Sequence, residues 1–214
     1  MYSNEHLTAC NFSATVCPEI KMDFVFDIDK AVAAAAYLTK KYRGEVSVFL
    51  LLKMMYAAER DALAKWHRPI TGDSFASMKK GPILSRTYDL IKGTVSSTNS
   101  DMVKWSKHFS ARAGNNIKLI VEPDFDVLSK IEIEALEEAA RKIAALIRRK
   151  GLIADTLHEE WPEWKNPVNY GRGSLPLSLE DVLSEIIEDE SELEKIVHEI
   201  RAVSSVKAAL QVSG

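Results

Sequence analysis

The chain has 214 residues, which is enough for one domain with extensions or for two small domains. Apolar residues make up 46% and charged residues 28%, as in ordinary globular proteins, which excludes a globally disordered chain. Only 9 Gly and 7 Pro are present. The combined share of Gly and Pro is well below the usual share of about 12%, and so low a content of turn residues predicts a chain rich in helix.

The net charge of −3 is unevenly distributed. Residues 30–118 carry 16 Lys and Arg against 6 Asp and Glu, whereas residues 176–200 carry 1 against 9. A basic body and an acidic end either recognise partners of opposite charge or pack on one another. The acidic end disfavours binding to an anionic membrane, and aromatic residues interleaved with Lys and Arg are too sparse to favour nucleic acid.

No apolar run has the length of a membrane span, and the first residues lack the basic and apolar regions of a signal peptide. We therefore expect a cytoplasmic protein without a membrane partner.

The first elements are predicted to be two helices. Residues 1–28 show no sustained hydrophobic period and are expected to form a flexible leader, with Asp27 or Asp29 available as a helix cap. The alanine-rich residues 30–42 favour a helix. Residues 45–66 are apolar on nearly every side in their first half, which is typical of a buried central helix.

The middle of the chain alternates between extended and helical patterns. Residues 74–78 predict a short strand or extended loop, and residues 84–92 a helix. The β-branched run 117–121 is expected to pair with that earlier extended segment in a sheet of two or three strands. Ser129 opens a capping-box pattern, and the apolar spacing after it predicts a helix as far as Lys150.

The remaining segments have weaker patterns. Residues 94–116 are polar and are assigned no regular element, while residues 153–160 predict a short helix followed by an irregular connector. Ser178 begins a second capping-box pattern, and the apolar stripe that continues to residue 200 fits one long amphipathic helix or two short ones. An apolar stripe of this kind can pack on the rest of the chain, or it can pair with a second copy of the chain in a homo-oligomer.

Residues suited to catalysis are few and scattered. The five His are isolated, the two Cys form no CxxC motif, and no P-loop or GxSxG elbow is present, so we expect neither a metal nor a cofactor. An enzyme would have to rely on Asp61, Asp73 or His158. The simpler interpretation is that these side chains bond within the fold.

Polar and charged side chains are dense between residues 53 and 82. Next to a buried helix, such groups either satisfy one another or face a partner. We assign Asp61 and Asp73 to internal caps or ion pairs. For Lys79 and Lys80 the two interpretations, a solvated turn and a contact with an acidic partner, remain equally open.

Several motifs occur together in a fixed order. They are Lys53, Tyr56, Glu59 and Arg60 on one helix, the RPITGD turn at residues 68–73, the MKKGP segment at residues 78–82, and the sequence Tyr88-Asp89-Leu90. A second patch at residues 128–162 begins with LSKIEIEALEEA and ends with Trp-Pro. With these motifs the chain resembles the Panacea domain, the family of SocA-like antitoxins, over about residues 47–164.

The resemblance implies a mainly α (α+β) fold. It implies a compact helical domain with a small β-sheet or hairpin, which we place at residues 29–164. A connector and an acidic, amphipathic C-terminal helical extension, at residues 165–214, lie outside the matching core. The resemblance also implies no catalytic activity. Members of the family, from bacteria or phages, are antitoxins that bind and inhibit the product of an adjacent gene, often a translation or growth inhibitor.

We therefore predict an antitoxin that neutralises a cognate toxin by direct protein-protein binding. The main alternative is an adaptor that delivers the toxin to an ATP-dependent protease, as one family member does. An uncharacterised enzyme and a DNA-binding autorepressor are weaker alternatives. The acidic tail is expected to cover a basic groove on the toxin. The predicted partner-binding residues are Tyr56, Arg68, Asp73, Lys79, Lys80, His158, Glu185, Glu188 and Asp189.

Overall fold

A computed structural model describes residues 24–150 and 160–212 of the chain. These residues form seven α-helices and five short strands in two antiparallel sheets, which confirms the expected mainly α fold with a small β component. In chain order the elements are α1 (Ile28–Lys40), β1 (Glu45–Ser47), α2 (Val48–Trp66), β2 (Phe75–Met78), β3 (Gly81–Leu84), α3 (Ser85–Lys92), α4 (Ser100–His108), β4 (Asn116–Lys118), α5 (Lys130–Lys150), β5 (Ser174–Leu177), α6 (Leu179–Ser184) and α7 (Glu190–Val212).

Helix α1 is buried on most of its surface because its side chains are small. The five alanines between residues 31 and 36 are all buried, so neighbouring elements approach the backbone closely. Of the two residues predicted to cap the helix, Asp27 is the one that does so: its Oδ1 accepts the Lys30 N–H at 3.1 Å. Arg43 and Gly44 have φ angles of 60° and 83°, and this left-handed pair turns the chain from α1 into β1.

Helix α2 is the central element of the domain. It packs against α1, α5 and β3, and buried residues lie around its whole circumference, as its apolar sequence predicts. Its start differs from the prediction by three residues, because Glu45–Ser47 forms β1 and the Ser47 side chain accepts the Leu50 N–H at 3.2 Å. The helix ends at His67, which is in the left-handed conformation with φ 56°.

The two sheets correct the predicted strand pairing. Strand β4 pairs with β1, with Ile117 opposite Val46, and not with the extended segment at residues 74–78. That segment is β2, the middle strand of the order β3-β2-β5, so both of its edges are already occupied. Ile117 and Val46 are both buried against the core, and this burial fixes the register of the β1–β4 pair.

Strands β3 and β5 were not predicted, since each contains a proline. Pro82 lies opposite Ser77, and Pro176 lies opposite Ala76. A proline cannot donate to a ladder and is therefore tolerated on edge strands, and β3 and β5 are the two edges of this sheet. Strand β5 belongs to the stretch that we expected to be an irregular connector.

Helix α4 lies in the stretch that was assigned no regular element. Asn99 caps it by accepting the N–H groups of Asp101 and Met102 at 2.9 and 3.3 Å. Only Trp105 of this helix is buried, and its ring stacks on Phe109 at a centroid distance of 4.4 Å. A helix anchored by one side chain has little hydrophobic periodicity, which is why its sequence looks like a loop.

The C-terminal region contains two helices rather than one. Ser178 and Asp181 form the predicted capping box at the start of α6, and Asp189 accepts the Glu192 N–H at 2.8 Å at the start of α7. Ile196 and Ile200 of α7 are buried, so this part of the stripe packs on the body.

Ser129 and Glu132 form the other predicted capping box, at the start of α5. The short helix expected at residues 153–160 lies almost entirely outside the described residues.

Residues 24–27 precede α1 and lie against the loop after α2. The Asp27 N–H donates to the Thr71 carbonyl at 2.8 Å, and Phe24 and Phe26 pack against the core. Gly72 allows the approach, since a Cβ at this position would be 2.4 Å from the Val25 carbonyl oxygen. Residues 1–23 of the expected leader are outside the described range, and the proposed domain boundaries remain a prediction.

Candidate functional site

Four polar residues of α2 lie three residues apart or next to one another. They therefore occupy successive turns of the helix and contact neighbouring loops. They are Lys53, Tyr56, Glu59 and Arg60. Lys53, Tyr56 and Glu59 are each at most 1% exposed. Groups of this kind require partners in the interior, and each of the four has one.

Glu59 organises the turn at residues 68–73. Its Oε2 accepts the Ile70 N–H at 2.6 Å, and its Oε1 accepts the Thr71 N–H at 2.8 Å together with the Thr71 hydroxyl. Burial raises the pKa of Glu59 to about 7, against the opposing effect of these hydrogen bonds. The carboxylate therefore works as a backbone clamp that fixes the loop between α2 and β2.

Asp73 performs a similar task for α3. Its Oδ1 accepts the Arg86 N–H at 2.9 Å, and its Oδ2 accepts the Thr87 N–H at 2.8 Å and the Thr87 hydroxyl at 2.7 Å. These amides lie in the first turn of the helix, where they have no intrahelical acceptor. Burial raises the pKa of Asp73 despite the donors. Asp73 is thus a long-range helix cap.

Tyr56 and Arg60 meet the chain again more than 100 residues later, at Glu163. The Tyr56 hydroxyl donates to Glu163 Oε1 at 2.7 Å, and Arg60 donates to both carboxylate oxygens at 2.8 and 3.3 Å. The Tyr56 ring makes edge contacts with Phe75 and Trp161. Burial raises the pKa of Tyr56 well above its ordinary value, so the phenol is a neutral donor. This cluster ties the Trp-Pro segment to α2.

An open cleft lies beside the β2–β3 hairpin, with a volume of about 510 Å³. We call it the hairpin cleft. Its apolar lining includes Phe49, Leu52, Met78, Ile83 and Tyr88. Three exposed cations, Lys79, Lys80 and Arg112, also line it, together with the buried Lys53. The hairpin cleft therefore combines apolar surface with positive charge, and no carboxylate of the described residues lines it.

Comparison with known proteins identifies the family. The family model described as antitoxin SocA-like, Panacea domain, matches residues 51–165, more than half of the chain. The chain belongs to this family of SocA-like antitoxins. An antitoxin role in general, with a toxin as partner, follows from that membership. No curated protein and no solved structure matches the chain.

The Panacea match begins inside α2 and ends just after Glu163, so it contains the whole network of Lys53, Tyr56, Glu59, Arg60 and Glu163. The residues that carried the resemblance in the sequence are consequently those that hold the domain together. Helix α1, strand β5 and helices α6 and α7 lie outside the match, although buried side chains from all four contribute to the core or sheet.

The predicted partner-binding residues fall into two groups in this Panacea domain. Tyr56 and Asp73 are buried at 0% and 5% exposure, and their polar atoms are used internally, so they present no surface to a partner. The exposed residues are Arg68, Lys79, Lys80, Glu185, Glu188 and Asp189. Among the described residues, none of these six forms an ion pair. His158 lies outside the described residues.

The exposed residues do not converge on one site. Lys79 and Lys80 form the β2–β3 turn, whereas Glu185, Glu188 and Asp189 lie in the link between α6 and α7. Phe49 and Arg112, which line the hairpin cleft, were not among the predicted site residues. The spacing in the sequence gives no sign that Arg112, in the loop before β4, approaches a hairpin more than 30 residues earlier.

Within the described ranges, no group of three or more His, Cys, Asp and Glu side chains is placed to hold a metal ion. None of the helices in that part of the chain is both long and apolar enough to span a bilayer.

Proposed function

We propose that this chain is an antitoxin that neutralises the toxin encoded next to it by binding that toxin directly. The toxin is expected to inhibit translation or growth. The observation that carries the proposal is the Panacea match over residues 51–165. The chain acts stoichiometrically, by occluding a surface of the toxin, and the domain interior is a scaffold for that contact.

The charges at the surface support a protein partner. The hairpin turn offers Lys79 and Lys80, and the link between α6 and α7 offers Glu185, Glu188 and Asp189, none of which is paired within the described residues. Unpaired surface charges of both signs are suited to steer a complementary partner and to fix its orientation. We propose that the acidic link covers a basic groove on the toxin.

The proposal is tested by expressing the adjacent gene in a bacterial host with and without this chain. Growth and the abundance of the toxin are followed in a normal strain and in a strain that lacks its ATP-dependent proteases. Direct neutralisation predicts that growth is restored in both strains and that the toxin remains at its full level.

Two other outcomes contradict direct neutralisation. If growth returns only in the normal strain and the toxin disappears there, the chain is a proteolytic adaptor. If the adjacent gene product is not toxic at all, the antitoxin proposal itself fails.

A further inference from the structure

Lys53 is a buried cation whose charge has no carboxylate partner in the described part of the chain. Its ammonium donates to the Pro82 carbonyl at 2.6 Å, and its side chain is 1% exposed. An ammonium has three N–H donors, and among the described residues the Pro82 carbonyl is the acceptor for one of them. Burying a charge with so few partners costs folding free energy unless an opposite charge or further hydrogen bonds compensate it.

The surroundings of Lys53 are aromatic and cationic. Its Nζ lies 5.5 Å from the Phe49 ring centroid and 5.7 Å from that of Trp161. The other titratable groups that line the cleft are cationic or neutral: Lys79, Lys80, Arg112 and Tyr88, and Tyr56 follows Lys53 by one turn of α2. Burial lowers the pKa of Lys53 to about 7.

Lys53 also lines the hairpin cleft, so the missing counter-charge has a route from solvent. The cleft volume of about 510 Å³ is within the range of ligand sites. The apolar side chains suit an apolar group, and the three exposed cations suit an anion that arrives with it. A carboxylate is the group that supplies the charge and the acceptors that the described residues do not offer Lys53.

We propose that the hairpin cleft binds a segment of the toxin in which an Asp or Glu lies beside an apolar side chain. The carboxylate pairs with Lys53 Nζ, and the apolar side chain packs on Phe49 and Leu52. Lys79, Lys80 and Arg112 attract the segment. This inference rests on the proposed function, because it names the contact through which the toxin is held.

The first test compares Lys53→Met with the wild-type chain, because Met has a similar length and no charge. Removing an unpaired buried charge is expected to maintain or raise the unfolding temperature of the free chain. Affinity for the toxin, measured by calorimetry at pH 6.5, is expected to fall by about 30-fold or more because the toxin carboxylate loses its partner. A residue with only a structural role would lower the unfolding temperature and leave the affinity unchanged.

A second variant keeps the interior intact. Lys79→Ala/Lys80→Ala is expected to slow association with the toxin and to weaken the salt dependence of binding. The matched control is Lys107→Ala/Lys130→Ala, which removes the same charge from two exposed lysines outside the cleft. Equal effects of the two double variants would overturn the assignment of the cleft.

Binding is also expected to depend on pH. Pairing with a carboxylate raises the pKa of Lys53, so the complex binds a proton more tightly than the free chain does. Affinity is therefore highest below pH 7 and falls by up to about tenfold per pH unit above it. The Lys53→Met variant lacks this dependence, and an identical pH profile for both proteins would overturn the proposal.

The occupant is identified by photo-crosslinking from p-benzoylphenylalanine at Tyr88. A crosslink to a toxin peptide that contains Asp or Glu supports the inference, whereas a crosslink to a second copy of this chain overturns it. Failure of the wild-type chain to bind the toxin refutes the proposed function. Wild-type binding that Lys53→Met leaves unchanged refutes only the role of the cleft.

Discussion

Glu59 and Lys53 both have a pKa of about 7 in the folded chain, reached from opposite directions. Because the pKa of Glu59 is raised, its contribution to stability is complete below pH 4.5 and is lost as the pH rises to 7. Because the pKa of Lys53 is lowered, its burial costs most below pH 7, and stability recovers between pH 7 and 10.5.

The first prediction concerns Glu59→Gln, which removes the titration but keeps the shape. The loss of unfolding free energy relative to wild type is expected to be greater at pH 5 than at pH 7.5, by about 2 kcal/mol. Denaturant unfolding at the two pH values measures it. An equal loss at both would show that the Glu59 carboxyl titrates normally in the folded chain.

The second prediction concerns the cluster around Glu163. Glu163→Gln leaves Arg60 with a buried charge and a weakened acceptor, so it is expected to cost about 3 kcal/mol of unfolding free energy. Glu138→Gln is the control, because Glu138 pairs with Lys65 where both side chains are 48% exposed. A surface pair of this kind contributes at most about 1 kcal/mol. Similar losses for the two variants would contradict the role given to the cluster.

The motif spacing marked the important residues without showing what they do. Tyr56 and Asp73 were both named as partner-binding residues, and both are buried and bonded within the fold. For Asp73 the bonds are those of the internal cap that was the other expectation for this residue. Glu163, which accepts the Tyr56 hydroxyl across more than 100 residues, could not be paired with Tyr56 from the sequence, since their contact depends on tertiary packing. Lys79 and Lys80 differ from these residues because they are exposed. Their exposure follows from their position in the β2–β3 turn, which the sequence alone did not reveal.

At the scale of elements, the third prediction tests the docking of residues 24–27 on the loop after α2. Gly72→Ala and Gly93→Ala share a φ of 68° and hence the same backbone strain. The new Cβ meets the Val25 carbonyl at Gly72 and nothing within 4 Å at Gly93. Gly72→Ala is therefore expected to lose about 1–3 kcal/mol more unfolding free energy. Equal losses, measured by thermal unfolding, would mean that the segment does not dock there.

The fourth prediction concerns the acidic link between α6 and α7. Deleting the tail from Leu177 is unsuitable, because Leu177, Val182 and Leu183 belong to the core and their loss would unfold the domain. We therefore choose Glu185→Gln/Glu188→Gln/Asp189→Asn. It is expected to lower the association rate with the toxin by roughly tenfold at low salt and by less at high salt.

The control for that variant is Asp124→Asn/Asp126→Asn/Glu134→Gln, which neutralises three exposed carboxylates elsewhere on the chain. If both triple variants slow association equally, only net charge matters and the link has no specific role.

The elements that were predicted correctly have a strong local signal. Helices α2 and α5 have long apolar patterns, and Ser129 and Ser178 begin their capping boxes as expected. The elements that were missed depend on distant partners: β3 and β5 are edge strands that exist because β2 lies between them. The β1–β4 pair likewise depends on burial of Val46 and Ile117, which no local pattern specifies.

At the scale of the molecule, the acidic end is partly paired with cations that lie outside the basic body at residues 30–118. Lys165 pairs with Asp181 at 3.0 Å, and Arg201 pairs with Glu180 at 3.3 Å. The carboxylates in the link between α6 and α7 have no such ion pair within the described residues. Some acidic residues of this end therefore form ion pairs within the chain, although not with the basic body, and those of the link remain available to a partner.

Direct binding of the toxin is tested most directly by purifying this chain through a tag from cells that co-express the adjacent gene and lack ATP-dependent proteases. Native mass spectrometry of the eluate then gives the composition. We predict a complex that contains the full-length toxin in fixed stoichiometry with this chain. Cells that grow normally while the chain is purified alone would contradict direct neutralisation.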